Sequence, residues 1–166
     1  MDSQYITCFI TSTCKVFETM LNLPVESGSP TMKEPGKPAH DVSAIVGLGG
    51  DMEGSVVLSF PVTSAQRIVS LFSGANLEPS HPDFADAIGE LVNMIAGGAK
   101  ALFKGAKVTI TCPSVVIGSD HLVFGRKDTT CIVIPCACDC GEFAVQVALR
   151  PAEPAADSQI KFAASA

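Results

Sequence analysis

The stretch Ser80–Lys104, SHPDFADAIGELVNMIAGGAKALFK, constrains the chain more than any other. Ser80 followed by Asp83 has the form of a capping box, and Pro82 suits a first helical turn, where the missing amide loses no partner. Phe84, Ile88, Leu91, Ile95, Gly98, Ala99 and Leu102 recur at three- and four-residue steps. At about 100° per residue they form one apolar stripe, which must be the buried face of a long helix. The opposite face carries Asp86, Glu90, Asn93, Gly97, Lys100 and Lys104. Glu90 and Asn93 are three apart, so their side chains are neighbours on that surface. Gly89, Ala96, Gly97 and Ala101 lie around them in this projection and add little bulk.

A face meant only for water would be better filled with Lys, Gln or Ala than with Asn and Gly. Gly97 and Gly98 together cost a helix roughly 1.5–2 kcal/mol relative to alanine. Close approach by something accounts for that cost. A neighbouring helix explains Gly98, on the apolar side, whereas Gly97 points the other way. The motif holds no Ser or Cys nucleophile and no His base. An Asn can orient water through its carbonyl and amide hydrogens, and a Glu can pair with a cation. This is half of an active site, and the other half has to arrive with the substrate.

Asp86-x-x-x-Glu90-x-x-Asn93, with Pro113 about twenty residues on, resembles the signature of the CheC/CheX/FliY phosphatases of bacterial chemotaxis. The flanking DAIGELVNMIAGGAK is similar to the CheX branch in particular. The first helix offers Glu18 but Leu21 where an Asn would be needed, so the motif occurs once, as in that branch. The resemblance follows residues 3–150 in element order, and its specificity rests on this helix and Pro113. It implies hydrolysis of the aspartyl phosphate of a CheY-type response regulator. An acyl phosphate is already activated, so catalysis is mainly positioning and charge stabilisation. By resemblance, Glu90 pairs with the regulator's Lys and seats the helix, and Asn93 lines up the attacking water. Asp86, Gly89, Gly97 and Lys100 belong to the docking face: Asp86 supports the helix start, the glycines allow close approach, and Lys100 meets an acidic rim of the partner. The chain itself binds no cofactor; Mg²⁺ is expected on the regulator. The rival reading is a regulator-binding or flagellar-switch-type interaction module without turnover.

Composition narrows the alternatives. The 166 residues are 47% hydrophobic and 17% charged, enough for one domain with an aliphatic core. A net charge of -6 without a Lys/Arg cluster argues against nucleic acid and anionic membrane as partners. No apolar run reaches membrane-spanning length. The start Met1-Asp2-Ser3 lacks a basic segment, which points to a cytoplasmic protein. Seven cysteines, an odd number, favour reduced thiols. Cys136, Cys138 and Cys140 alternate and would share one strand face, as small core residues rather than metal ligands.

Along the chain, residues 3–23 read as a helix ended by Pro24. Residues 24–41 read as a mobile Pro-rich loop with room for a short edge strand, and His40 as solvated. Residues 42–48 and 54–60 form a hairpin, and Thr63–Ser73 a helix closed by Gly74. The central helix ends near Lys104-Gly105. Strands follow at 108–112, 115–117, 121–124, 130–137 and 143–149, with Pro113 as an interruption. No strand–helix–strand unit repeats. The expected architecture is therefore α+β: a two-layer, CheC-like/CheX-like domain with a mainly antiparallel sheet packed on the long central helix and two further helices. Residues 1–150 form that single domain, and 151–166 an Ala/Pro-rich tail. The resemblance implies a homodimer through an open sheet edge, with the apolar strand Cys131–Ala137 and its hairpin partner as the candidates.

Overall fold

The computed structural model of the protein describes residues 2–153. Three helices, α1 (Ser3–Leu21), α2 (Val62–Ser73) and α3 (Pro82–Ala101), pack on a sheet of eight strands among the described residues. The strands are β1 (Glu26–Ser27), β2 (Thr31–Met32), β3 (Val42–Gly50), β4 (Met52–Phe60), β5 (Val108–Ile110), β6 (Ser114–Ile117), β7 (Cys131–Cys138) and β8 (Gly141–Pro151). Every pairing is antiparallel, in the order β1-β7-β8-β4-β3-β5, with β2 also on β7 and β6 also on β3. The α+β class and the antiparallel sheet are those the sequence implies.

The helix ends show which local signals operate. The Asp2 carboxylate accepts from the Gln4 amide at 3.0 Å and starts α1. Asn22, at φ 52°, ends α1 two residues earlier than expected, a left-handed position that Asn tolerates. The α3 cap is His81, not Ser80: its Nδ1 accepts from the Asp83 amide at 3.2 Å, and Pro82 takes the first turn. No capping box forms: the third helical position is then Phe84, and the His81 amide donates to Glu78 O instead. The helix also stops at Ala101 rather than near Lys104, because Leu102 and Phe103 bond back to Ala99 and Lys100 in tighter turns. Gly74 closes α2 with φ 73°. The start of α2 borrows its cap from afar, as Val62 N–H donates to the Asp41 carboxylate at 3.0 Å.

One sheet face holds Val42, Ala44, Val46, Val56, Leu58, Phe60, Val145 and Val147, which meet the helices in the core. The other face is not open water. Ser43, Val57, Ser59, Ala144, Gln146 and Ala148 are all buried on it. Its cover is irregular chain from residues 33–41 and 118–130. Lys33 Nζ donates to Val123 O at 2.7 Å and Ala39 N to His121 O at 3.0 Å, which joins the two segments. His121 lies 2.8 Å from Ser43 Oγ through Nε2, and His40 Nδ1 lies 3.1 Å from Ser59 Oγ. His40 is therefore half-buried and engaged, not solvated, and residues 121–124 form no strand. At the far end Arg150 donates to Glu53, Asp128 and Glu153, tying the same cover to β4 and β8.

The loop 24–41 also carries more order than its prolines suggest. β1 and β2 pair with β7, and Gly28 and Lys33 add bonds to Pro135 O and Cys131 O. The outer edge of Cys131–Ala137 is thus occupied, which removes it as an edge for self-association. A homodimer would have to use another surface. At the C-terminal side β8 runs to Pro151 and Ala152 N bonds Asp51 O, so order continues past 150. The expected tail from 154 on lies outside the described residues.

Gly97 and Gly98 separate cleanly. A Cβ on Gly98 would stand 2.4 Å from Ser12 Oγ of α1, whose hydroxyl donates to Ile95 O at 2.7 Å. Gly98 is small because α1 crosses there. A Cβ on Gly97 would meet nothing within 4 Å. Gly98→Ala should therefore lower stability by about 1–3 kcal/mol, through a displaced buried hydroxyl and overpacking. Gly97→Ala should raise it by about 0.5–1 kcal/mol. Paired denaturant titrations test this, and equal signs would contradict it.

Candidate functional site

The candidate site lies on the outward side of α3. Phe84, Ile88, Leu91, Val92, Ile95 and Ala99 are buried, and this fixes the rotation of the helix about its axis. That rotation leaves Asp86 and Glu90 exposed and Asn93, Gly97 and Lys100 half-exposed on the other side. Among the described residues, no side-chain hydrogen bond or ion pair engages Glu90 or Asn93. A carboxylate and a carboxamide thus stand side by side with all their bonding capacity unspent.

Two small residues belong elsewhere. Gly89 and Ala96 are buried, so they are not part of the bare face as the helical projection suggests. A Cβ at Gly89 would come within 3.3 Å of Pro113 Cγ and 3.6 Å of Val115 Cγ2. Gly89 therefore makes room for the sheet, while Gly97 alone of the glycines leaves open space on the face.

The register explains how Pro113 reaches the helix. Ile45 pairs with Ser114 and Leu48 with Ile110. Between these pairs, Val46 and Gly47 on β3 face Thr111, Cys112 and Pro113, so the β5–β6 strand carries one extra residue. Such a bulge bends the strand and re-aims its side chains. Thr111 secures it: its N–H donates to Gly47 O at 3.0 Å, and its Oγ1 accepts from Gly47 N at 2.9 Å. The bulge sets the Pro113 ring beside Gly89, the residue before Glu90. Pro113 thus backs α3 on its sheet side, one residue before Glu90 in sequence. The spacing from Glu90 to Pro113 was visible in the sequence; the bulge that brings them together was not.

The "Chemotaxis phosphatase CheX" family matches residues 42–137 of the chain. This segment holds the hairpin, α2, α3, the bulge and most of β7. The chain belongs to the CheX family. It is 32% identical over 123 residues to the CheY-P phosphatase CheX of Thermotoga maritima, a match covering 72% of this chain and 79% of that protein. The crystal structure of CheX from Desulfovibrio desulfuricans superposes with a TM-score of 0.82 at 32% identity, covering 89% of this chain and 99% of that one. CheX in the CheX-CheY-BeF3-Mg+2 complex from Borrelia burgdorferi gives a TM-score of 0.73 at 25% identity, with 88% and 97% covered. The chain is accordingly a phosphatase of this family. No helix among the described residues is long and apolar enough to cross a membrane.

In this CheX-family chain the cysteines are free thiols among the described residues, and no group of three His, Cys, Asp or Glu side chains there is placed to hold a metal ion. Cys136 and Cys140 are core residues and Cys138 packs against them, so the shared face read from their alternation survives the turn at Asp139. Burial pushes the Cys136 thiol up to about 12, with the neighbouring Cys14 and Cys138 adding to it. Cys112, beside Pro113 in the bulge, is exposed.

At pH 8 a thiol reagent should therefore label Cys112 first and Cys136 only on global unfolding. Because the folded Cys136 binds its proton more tightly than the unfolded thiol at 9.0, its contribution to stability is complete below pH 9. That contribution is lost as pH rises towards about 12. Urea midpoints measured across this window in the native protein and in Cys136→Ala isolate the effect: the native curve should fall more steeply.

Proposed function

We propose that the chain hydrolyses the aspartyl phosphate of a CheY-type response regulator, with α3 as the inserted element. The observation that carries this reading is the Glu90/Asn93 pair, three residues apart on an outward helix face, unengaged within the chain and flanked by the open Gly97. Its relatives are named for the same reaction. The second half of the site, including the divalent cation, is the regulator's own.

Asn93 would place a water in line with the phosphorus and opposite the aspartyl oxygen. A bond forms from water oxygen to phosphorus as the bond from phosphorus to the aspartyl oxygen breaks. The products are inorganic phosphate and the free carboxylate. The water's proton leaves with the phosphate or solvent, so no strong base is required. Glu90 would pair with the regulator's Lys and fix the helix in register. Gly97 would let the partner backbone come close, while Asp86 and Lys100 would flank the contact at either end of the exposed stripe. Pro113, packed against α3 at Gly89, would hold the helix in place as it enters the partner's site.

Asn93→Ala and Glu90→Ala should each change stability by no more than about 0.5 kcal/mol, since neither side chain bonds within the chain. Asn93→Ala should leave regulator binding intact and slow phosphate release on the order of 10²–10³-fold. Glu90→Ala should weaken binding and turnover together, by about 2–5 kcal/mol if the charge pair is desolvated. Gly97→Ala should weaken binding while stabilising the fold. Binding is read with a beryllofluoride-loaded regulator and turnover from its phosphorylated form. Unchanged release by Asn93→Ala would show that this face is not the active site. Binding without accelerated release by the native protein would leave the docking-module reading.

A further inference from the structure

The bulge that brings Pro113 to α3 is held by one side chain. In a regular antiparallel pair Gly47 and Thr111 would exchange two backbone bonds. Here Thr111 N–H donates to Gly47 O at 3.0 Å, but Gly47 N–H turns to Thr111 Oγ1, at 2.9 Å, rather than to the Thr111 carbonyl. The proton of that hydroxyl is directed at Cys112 O, 3.2 Å away. Cys112 O belongs to the peptide group that joins Cys112 to Pro113. That group has no N–H, because its nitrogen is the proline's, so the carbonyl is the one handle it offers. A single hydroxyl thus replaces the lost rung of the ladder and fixes the peptide on which Pro113 is mounted.

The fit depends on β3 as well. A Cβ at Gly47 would stand 3.1 Å from Thr111 Cγ2 and 3.2 Å from Thr111 Oγ1, so glycine lets the Thr111 side chain lie across the strand. Thr111 is exposed, and water could satisfy the Gly47 amide and the Cys112 carbonyl in its place. Water could not give the Cys112–Pro113 peptide a fixed position.

That position reaches the reaction through α3. Pro113 packs where Gly89 has no side chain, with Pro113 Cγ 3.3 Å from the place of a Cβ. Gly89 and Asn93 are four residues apart, so Asn93 stands one turn further along the same side of the helix, whereas Glu90 lies about 100° round the axis. A carboxylate that meets a flexible ammonium tolerates a small shift of the helix; a carboxamide that lines up a water does not. We propose that Thr111 is a positioning residue for the phosphatase reaction, acting through Pro113 and Gly89 on the place from which α3 presents Asn93. The proposal rests on Asn93 as the group that places the attacking water.

The test compares Thr111→Val, which keeps the shape and removes the hydroxyl, with Thr111→Ser, which keeps the hydroxyl. At saturating phosphorylated regulator, Thr111→Val should release phosphate about tenfold or more slowly, since a misplacement near 1 Å costs on the order of 10²-fold. Its affinity for the beryllofluoride-loaded regulator should stay within about threefold of native. Its amide chemical shifts should move at Gly89, Glu90 and Asn93. Thr111→Ser should recover most of the rate. Gly47→Ala crowds Thr111 from β3 and should slow release to a smaller degree; it carries the test if the valine variant does not fold. Ser59→Ala, which loses a bond on the second sheet face, should lower stability and leave the rate native. Native release by Thr111→Val, equal loss of rate and affinity, or equal slowing by Thr111→Ser or Ser59→Ala would each overturn the proposal. Asn93→Ala is measured beside them. Native release by that variant removes the reading on which the proposal rests, whereas slowed release there with native release by Thr111→Val removes the proposal alone.

Discussion

Phe84, Ile88, Leu91, Val92 and Ile95 are wholly buried, and the placement of α3 between the sheet and α1 is the constraint on which the other features depend. Each such side chain contributes about 1.5–3 kcal/mol on leaving water, so rotating the helix by even one residue would forfeit several of these terms. The cost of misrotation fixes the outward stripe. Gly98 then has to be glycine, since Ser12 of α1 occupies the space its side chain would need. Gly89 is glycine for a related reason on the sheet side, where Pro113 stands. Between these two close approaches the helix has no freedom to slide, and Glu90 and Asn93 inherit a fixed position without making any bond of their own.

A hydrophobic stripe therefore does for this site what hydrogen bonds to neighbouring groups do in many enzymes. The unengaged pair keeps its acceptors and donors unspent, and the rigidity comes from the far side of the helix. The bulge adds a second rigid element. Pro113 and a strand held by Thr111 back the helix at Gly89, so the outward face is preformed.

The helix, its buried face up to Ala99 and the identity of the outward residues were legible in the sequence because period and residue size are local properties, whereas Leu102, read onto that face, is exposed beyond the helix end. So were the hairpin at β3–β4, the C-terminal strands and the interruption at Pro113. What was not legible depended on register or on distant partners. The roles of Gly89 and Ala96 turn on where β6 comes to lie, which no helical projection contains. The pairing of Glu26–Ser27 and Thr31–Met32 with β7 is hidden because two-residue strands leave no periodic trace, and it closed the edge that the apolar run 131–137 appeared to offer. His40 looked idle because Ser59, its partner, lies nineteen residues on. Ser43, Ser59 and Gln146, polar residues within apolar runs, all fall on the second face.

The cover of that face also bears on the order in which the molecule assembles. Its ties span large stretches of chain: 90 residues from Lys33 to Val123 and 78 from Ser43 to His121. Contacts of that separation return nothing until a long loop has been closed, whereas the helices and the β3–β4 hairpin form from near neighbours. The cover, irregular and tied by a few long-range bonds where the sheet is tied by many, should close late in folding and open first from the native state. Its amides should exchange hydrogen through openings that leave the core intact. Bonds made after the rate-limiting barrier act chiefly by slowing escape from the folded state. The irregular layer should thus bear on how long the folded state persists more than on how quickly it forms.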